Sequence, residues 1–136
     1  MTFPDSWTRP IERTWTIDGW VPDSRSNRST GWNKNQVSKK ILIANWAKDK
    51  STRQRVAAVV GKPPGDIGYR CRLVVTMYRV KLLDPTNVAV ACKALVDAIN
   101  RQGWLVDDNA TWLDFEARQV KVRRADIRTT ITWSPA

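Results

Sequence analysis

From Arg13 to Trp20 the chain reads RTWTIDGW, an alternation of polar residues with β-branched and aromatic ones that predicts a strand. The next stretch, VPDSRSNRSTGWNKNQ, is rich in Pro, Ser, Asn and Gly and predicts a loop. From Val37 to about Val60 the period becomes helical. Val37, Ile41, Ala44 and Trp46–Ala47 lie near one stripe, and Val56, Val59 and Val60 resume it. The polar middle, KDKSTRQR, predicts either a solvated stretch or a break. Gly61, followed by Pro63 and Pro64, stops the helix. YRCRLVVTMYRVKL then returns to alternation. Cys71, Leu73, Val75 and Met77 share one face and Val74, Tyr78 and Val80 the other, a pattern that allows cover on both faces.

A second helix is predicted from Pro85 to about Gln102. Val88, Cys92, Leu95 and Ile99 form its apolar stripe, and Gly103 follows it as a stop. ATWLDFEARQVKVRR predicts a strand whose phase shifts near Gln119, where a bulge would account for the shift. DIRTTITW predicts a last strand, with Ile127, Thr129, Ile131 and Trp133 on one side. The order β-α-β-α-β-β implies an α/β (α+β) class, a mixed sheet carrying two helices. The length of 136 residues implies one domain spanning 1–136.

Charge changes the picture. Lys and Arg number 23 against 13 Asp and Glu, a net charge of +10 that points to a polyanionic partner, nucleic acid first. The surplus concentrates in the first half, Met1 to Arg70, with 13 basic and 6 acidic residues. Arg25, Arg28, Lys34, Lys39 and Lys40 cluster in the first loop and at the start of the first helix, where a helix N-terminus suits phosphate contacts. No apolar run approaches membrane-spanning length and the N-terminus has no secretory pattern. With the 2 cysteines, Cys71 and Cys92, in apolar patterns, the expectation is buried free thiols in a reducing cytoplasm. The absence of histidine excludes Ser-His-Asp and Cys-His nucleophiles and His-ligated zinc. Any hydrolysis would fall to carboxylates and a hard cation such as Mg²⁺.

The acids that could do this frame the second helix. Asp84 precedes Pro85 in the Asp-Pro pattern of a helix start, where an aspartate cap contributes about 1 kcal/mol. Asp107 and Asp108 follow the helix and suit a turn. The helix is roughly 25 Å long, so Asp84 and the pair meet only if the chain crosses over and returns to the same sheet edge. Crowded carboxylates of this kind would need a divalent cation.

LDPTN, CKALVDAINRQGW and LVDDN together resemble the core signature of the RusA family of Holliday junction resolvases: an Asp-x-Asp-Asn segment, a helix with a Lys, a Gly-aromatic turn and Asp-Asp. The basic loop is similar too, and the likeness extends roughly from Arg13 to Trp133. The resemblance implies a homodimeric endonuclease, dependent on Mg²⁺ (or Mn²⁺), that nicks opposed strands of four-way DNA junctions. It implies that Asp84, Asp107 and Asp108 bind the metal and that Asp84, Asp108 and Lys93 are catalytic. Arg25, Arg28, Lys34, Lys39 and Lys40 would hold the DNA. The chain departs from the family pattern at Thr86, which stands where the second acid is expected and offers a neutral ligand. It departs also in the six residues from Asn87 to Lys93, where one common pattern has three. A related protein that binds junctions or duplex DNA without cutting is the second expectation, and a ribonucleoprotein domain the third. Of the 8 tryptophans, Trp15, Trp46, Trp112 and Trp133 fall on core or strand positions, while Trp20 and Trp32 flank the loop and could stack on bases or seal a dimer.

Overall fold

A computed structural model describes residues 11–22 and 39–136; of 39–42, 44 and 45 only the backbone is described. Its elements are β1 (Arg13–Asp18), α1 (Lys39–Val60), β2 (Cys71–Arg79), α2 (Pro85–Ala91), α3 (Lys93–Arg101), β3 (Leu113–Lys121), a 3₁₀ turn (Arg124–Asp126) and β4 (Arg128–Pro135). The described elements make a mixed α+β fold. The predicted order holds, with the second helix divided in two.

The four strands form one sheet in the order β1-β4-β2-β3. β2 and β3 run parallel, from Cys71 opposite Leu113 to Arg79 opposite Lys121, while β4 is antiparallel to both β1 and β2. A parallel neighbour requires a crossover, and α2 with α3 provides it. β3 pairs with β2 without interruption through Met77–Gln119 and Tyr78–Val120, so the expected bulge near Gln119 is absent. The phase shift has another cause. Gln119 occupies an inward position, and its amide accepts from Leu83 N at 2.9 Å and donates to Leu83 O at 2.8 Å. A polar side chain is tolerated there because it satisfies both backbone groups of the crossover's first loop.

Cys71, Leu73, Val75 and Met77 are fully buried, together with Ile131 and Trp133 of β4, under Val56 and Val60 of α1 and Val88, Cys92, Leu95 and Ile99 of the crossover. The apolar stripe predicted for the second helix is therefore the one that faces the core. On the opposite face of β2, Arg72, Val74, Thr76 and Tyr78 are only half-buried. The core thus lies on one face, and the expected cover on both is not found among the described residues. Charges on the open face pair with one another: Arg72 with Asp114 and, at 3.8 Å, Glu116, and Arg118 with Glu116.

In α1 the polar middle stays helical. Thr52, Val56 and Val60, four residues apart, point inward. Trp46 and Ala47, placed by their periodicity on the buried stripe, are exposed. Among the residues of α1 whose side chains are described, those that face the core lie in its second half, where α3 lies beside it.

Candidate functional site

The crossover begins at a fixed point. Gln119 holds Leu83, and the next residue, Asp84, occupies the N-cap of α2 with Pro85 after it. Asp84 O accepts from Asn87 N at 2.8 Å, which closes the first turn. Its carboxylate makes no capping hydrogen bond. The position is that of a cap, but the side chain does not perform the cap's task and stands exposed at the helix N-terminus, where the dipole favours negative charge.

Between α2 and α3 the helix breaks at Cys92, whose N–H bonds Ala89 O at 3.1 Å in a 3₁₀ pattern while its carbonyl still receives Val96 N at 2.9 Å. The break lets α2 lie along β3 and α3 lie along α1. It also sets Lys93 at the first position of α3, exposed.

The segment after α3 returns to the start of β3 through a hydrogen-bonded turn. Asp107 Oδ1 accepts from Asp108 N at 2.7 Å and Asp107 Oδ2 from Asn109 Nδ2 at 3.0 Å. Asn109 Oδ1 in turn accepts from Thr111 N at 3.0 Å. The carboxylate of Asp107 is thereby committed to the turn. Among the described residues that of Asp108 has no hydrogen-bond or ion-pair partner, and it lines a groove of about 360 Å³ whose walls are Ala89, Val90, Lys93, Val96, Leu113 and Phe115.

The structure therefore brings Asp108 and Lys93 to one groove, although fourteen residues lie between them in sequence. Asp84 sits five residues before the groove's Ala89, about 7.5 Å along the helix. Among the described residues no three acidic or cysteine side chains form a group that could hold a metal ion. The rest of the groove's lining is apolar, so a charged ligand here meets one cation and one nearby anion.

Of the expected DNA-binding residues, Arg25, Arg28 and Lys34 lie outside the described residues, and Lys39 and Lys40 open α1, with only their backbone described. A second groove escaped the sequence reading. It runs between α1 and α3 and is lined by Trp46, Lys50, Arg53, Gln54, Arg101 and Gln102 beside two alanines. The signal was present in the spacing of Trp46, Lys50, Arg53 and Ala57, which fall on one helical face. The apolar period places Trp46 on the stripe and Lys50 and Arg53 in the polar middle, so it does not join them. No described helix is long and apolar enough to cross a membrane.

Neither a scan against protein-family models nor a search of curated proteins returns a match to this chain.

Proposed function

We propose that the protein is a RusA-like, Mg²⁺-dependent endonuclease that binds four-way DNA junctions, acts as a homodimer and nicks opposed strands. The observation that carries this reading is the groove shared by Asp108 and Lys93, with the uncommitted carboxylate of Asp84 a turn and a half away along α2. Two equivalent cuts need two equivalent sites, which a twofold dimer supplies.

The donor set suits Mg²⁺ in one particular way. That ion keeps several waters and is commonly held by one or two carboxylates together with substrate phosphates. Asp84 and Asp108 would hold it, with phosphate oxygens of the DNA completing the shell, while Thr86 adds no charge. The ion would supply an activated water and charge stabilisation at the leaving oxygen. Lys93 would neutralise the phosphate in the groove. Asp107, whose carboxylate holds the turn, is assigned to shaping the loop that carries Asp108.

The test is cleavage of a mobile four-way junction with Mg²⁺ or Mn²⁺, beside linear duplex and single strand. Asp108→Asn should lower cleavage by more than about a hundredfold, since even the outer partners of a metal site are worth 10–100-fold. Junction binding in EDTA should remain. An Asp108→Asn protein that cuts like the parent removes the assignment.

A second reading, junction binding without cleavage, is favoured by the lack of any three-carboxylate group among the described residues and by Thr86. Binding in EDTA with no product in either metal supports it, and gain of cleavage in Thr86→Asp would identify the missing charge as the reason.

A further inference from the structure

The groove between α1 and α3 is built unlike a solvated helix face. Trp46 is 59% exposed, a large ring left open to solvent, and Ile43 one turn earlier is exposed as well. Lys50 Nζ lies 5.2 Å from the centroid of the Trp46 ring. Arg53 and Arg101 stand on facing helices, and both pair with Asp97, at 3.9 Å and 3.1 Å. Asp97 does not line the groove. The lining holds three cations, no carboxylate, and the amides of Gln54 and Gln102.

This combination selects its occupant. A second copy of the same face would bring Lys50 and two arginines, which share the single Asp97 carboxylate, against the same set, and like-charge repulsion between the two net positive faces opposes that. An exposed indole flanked by guanidinium and ammonium groups matches a polyanion that offers flat, unpaired rings. Duplex DNA offers phosphates but hides the faces of its bases in the stack. Single-stranded nucleic acid offers both. The two glutamine amides can donate and accept, so they suit base edges without demanding one sequence.

We infer that this groove is a single-strand binding site, in which Trp46 stacks on an unpaired base while Lys50, Arg53 and Arg101 hold the flanking phosphates. That the strand is DNA rests on the proposed junction function. The groove lies across α3 from the Asp108–Lys93 groove, so one protomer could hold an unpaired stretch near a branch point while another part of the DNA enters the first groove.

The experiment is fluorescence anisotropy of the full chain with a labelled oligothymidylate, an oligouridylate of equal length and a hairpin duplex. Trp46→Ala should weaken oligothymidylate binding by roughly 5- to 150-fold, the range of one base–aromatic stack, and Trp46→Phe should retain most of it. Duplex binding should change little. Because the ring is exposed, Trp46→Ala should fold, and its circular dichroism and melting temperature establish that. Equal loss on duplex and single strand, no loss on either, preference for oligouridylate, or a Trp46→Ala protein that changes oligomeric state in sedimentation each overturns the inference. Junction cleavage by the same proteins separates this site from the other: a parent that never cuts but shows the Trp46 effect refutes the nuclease and leaves the single-strand site standing.

Discussion

Asp107 and Asp108 are neighbours in sequence with different surroundings, because backbone geometry turns one carboxylate into the loop and leaves the other lining the groove that Lys93 also lines. Asp107→Asn should cost about 1 kcal/mol of stability through the weakened turn, read by thermal unfolding, and leave junction cleavage within a few-fold of the parent. The pair's presence was legible from the sequence; the division of labour was not, since it depends on which oxygen meets which N–H. The cysteines were better forecast. Cys71 and Cys92 are both free and buried in the core. Burial pushes the Cys71 thiol up to about 11, against a weaker lowering by the nearby Trp133 indole N–H. Burial pushes Cys92 up to about 12, only partly offset by the charge of Arg79. In the unfolded chain both ionise near the ordinary 9.0. The folded state thus holds protons that the unfolded state releases. Their stabilisation is complete below pH 9.0 and is lost as pH rises through the window up to about 11 and 12. Urea midpoints measured across that window should fall more steeply for the parent than for a Cys71→Ala, Cys92→Ala protein, by up to about 1.4 kcal/mol per pH unit for each thiol. Equal slopes would show that other groups govern the alkaline limb.

At the scale of elements, periodicity located the described strands, the first helix and the crossover helix, the last as one element rather than two, because a half-buried element repeats its apolar positions. It missed what joins them. The break at Cys92 leaves no mark on the stripe Val88, Cys92, Leu95, Ile99, since a single 3₁₀ step keeps neighbouring apolar residues inward while redirecting the axis. Trp46 was misplaced for a related reason: a stripe shows that one face is apolar, not that anything covers it. The stop at Gly103 was legible, and the structure shows what it serves. Gly103 has φ +97°, its N–H bonds Asn100 O at 3.0 Å, and it delivers Trp104 into the core. There Trp104 Nε1 donates to Gly61 O at 2.9 Å and Trp104 O accepts from Trp133 Nε1 at 2.9 Å. Its ring meets Trp15 and Trp133 edge-on, at centroid distances of 5.0 Å and 5.2 Å. One residue thus ties the end of α1 to β1 and β4. A Cβ at Gly103 would approach nothing nearer than Pro63 at 3.7 Å, so Gly103→Ala tests backbone strain alone and should cost about 1–2 kcal/mol. Gln119→Leu tests the other end of the crossover. It leaves Leu83 N and O without partners and should cost about 1–3 kcal/mol, with amide exchange accelerated first at Leu83 to Asn87 rather than across the sheet. Uniform acceleration would mean that the clamp stabilises the whole domain and does not specifically hold Asp84.

For the whole molecule, the strand order β1-β4-β2-β3 could not be read from the chain, because it depends on which edges meet after the elements form. The crossover could: a helix between two strands of the same sheet places them parallel, and β2 and β3 are. Charge distributes along with this architecture. The open sheet face pairs its charges internally through Arg72, Asp114, Glu116 and Arg118, and Arg128 stacks over Tyr78 at 3.8 Å. Of the other cations, Lys93 lines one groove beside α3, Lys50, Arg53 and Arg101 line the other, and Lys39 and Lys40 open α1. If Lys39 and Lys40 each contact a backbone phosphate of the junction arms, each releases a counterion on binding, and the logarithm of affinity falls against the logarithm of salt by about 0.9 per contact. Lys39→Gln with Lys40→Gln should then make that slope shallower by about 1.8, with affinity lost mainly at low salt. Asp108→Asn should leave the slope of binding in EDTA unchanged, because it adds no phosphate contact of its own and the groove already contains Lys93. Trp46→Ala should lower single-strand affinity at every salt concentration by the same factor, since stacking releases no counterions. The three proteins, measured over one salt series, separate phosphate contacts by Lys39 and Lys40 from stacking in the α1–α3 groove, with Asp108 contributing to neither. A shallower slope in Trp46→Ala would instead mean that the ring acts by holding Lys50 against a phosphate, moving that residue's role from stacking to electrostatics.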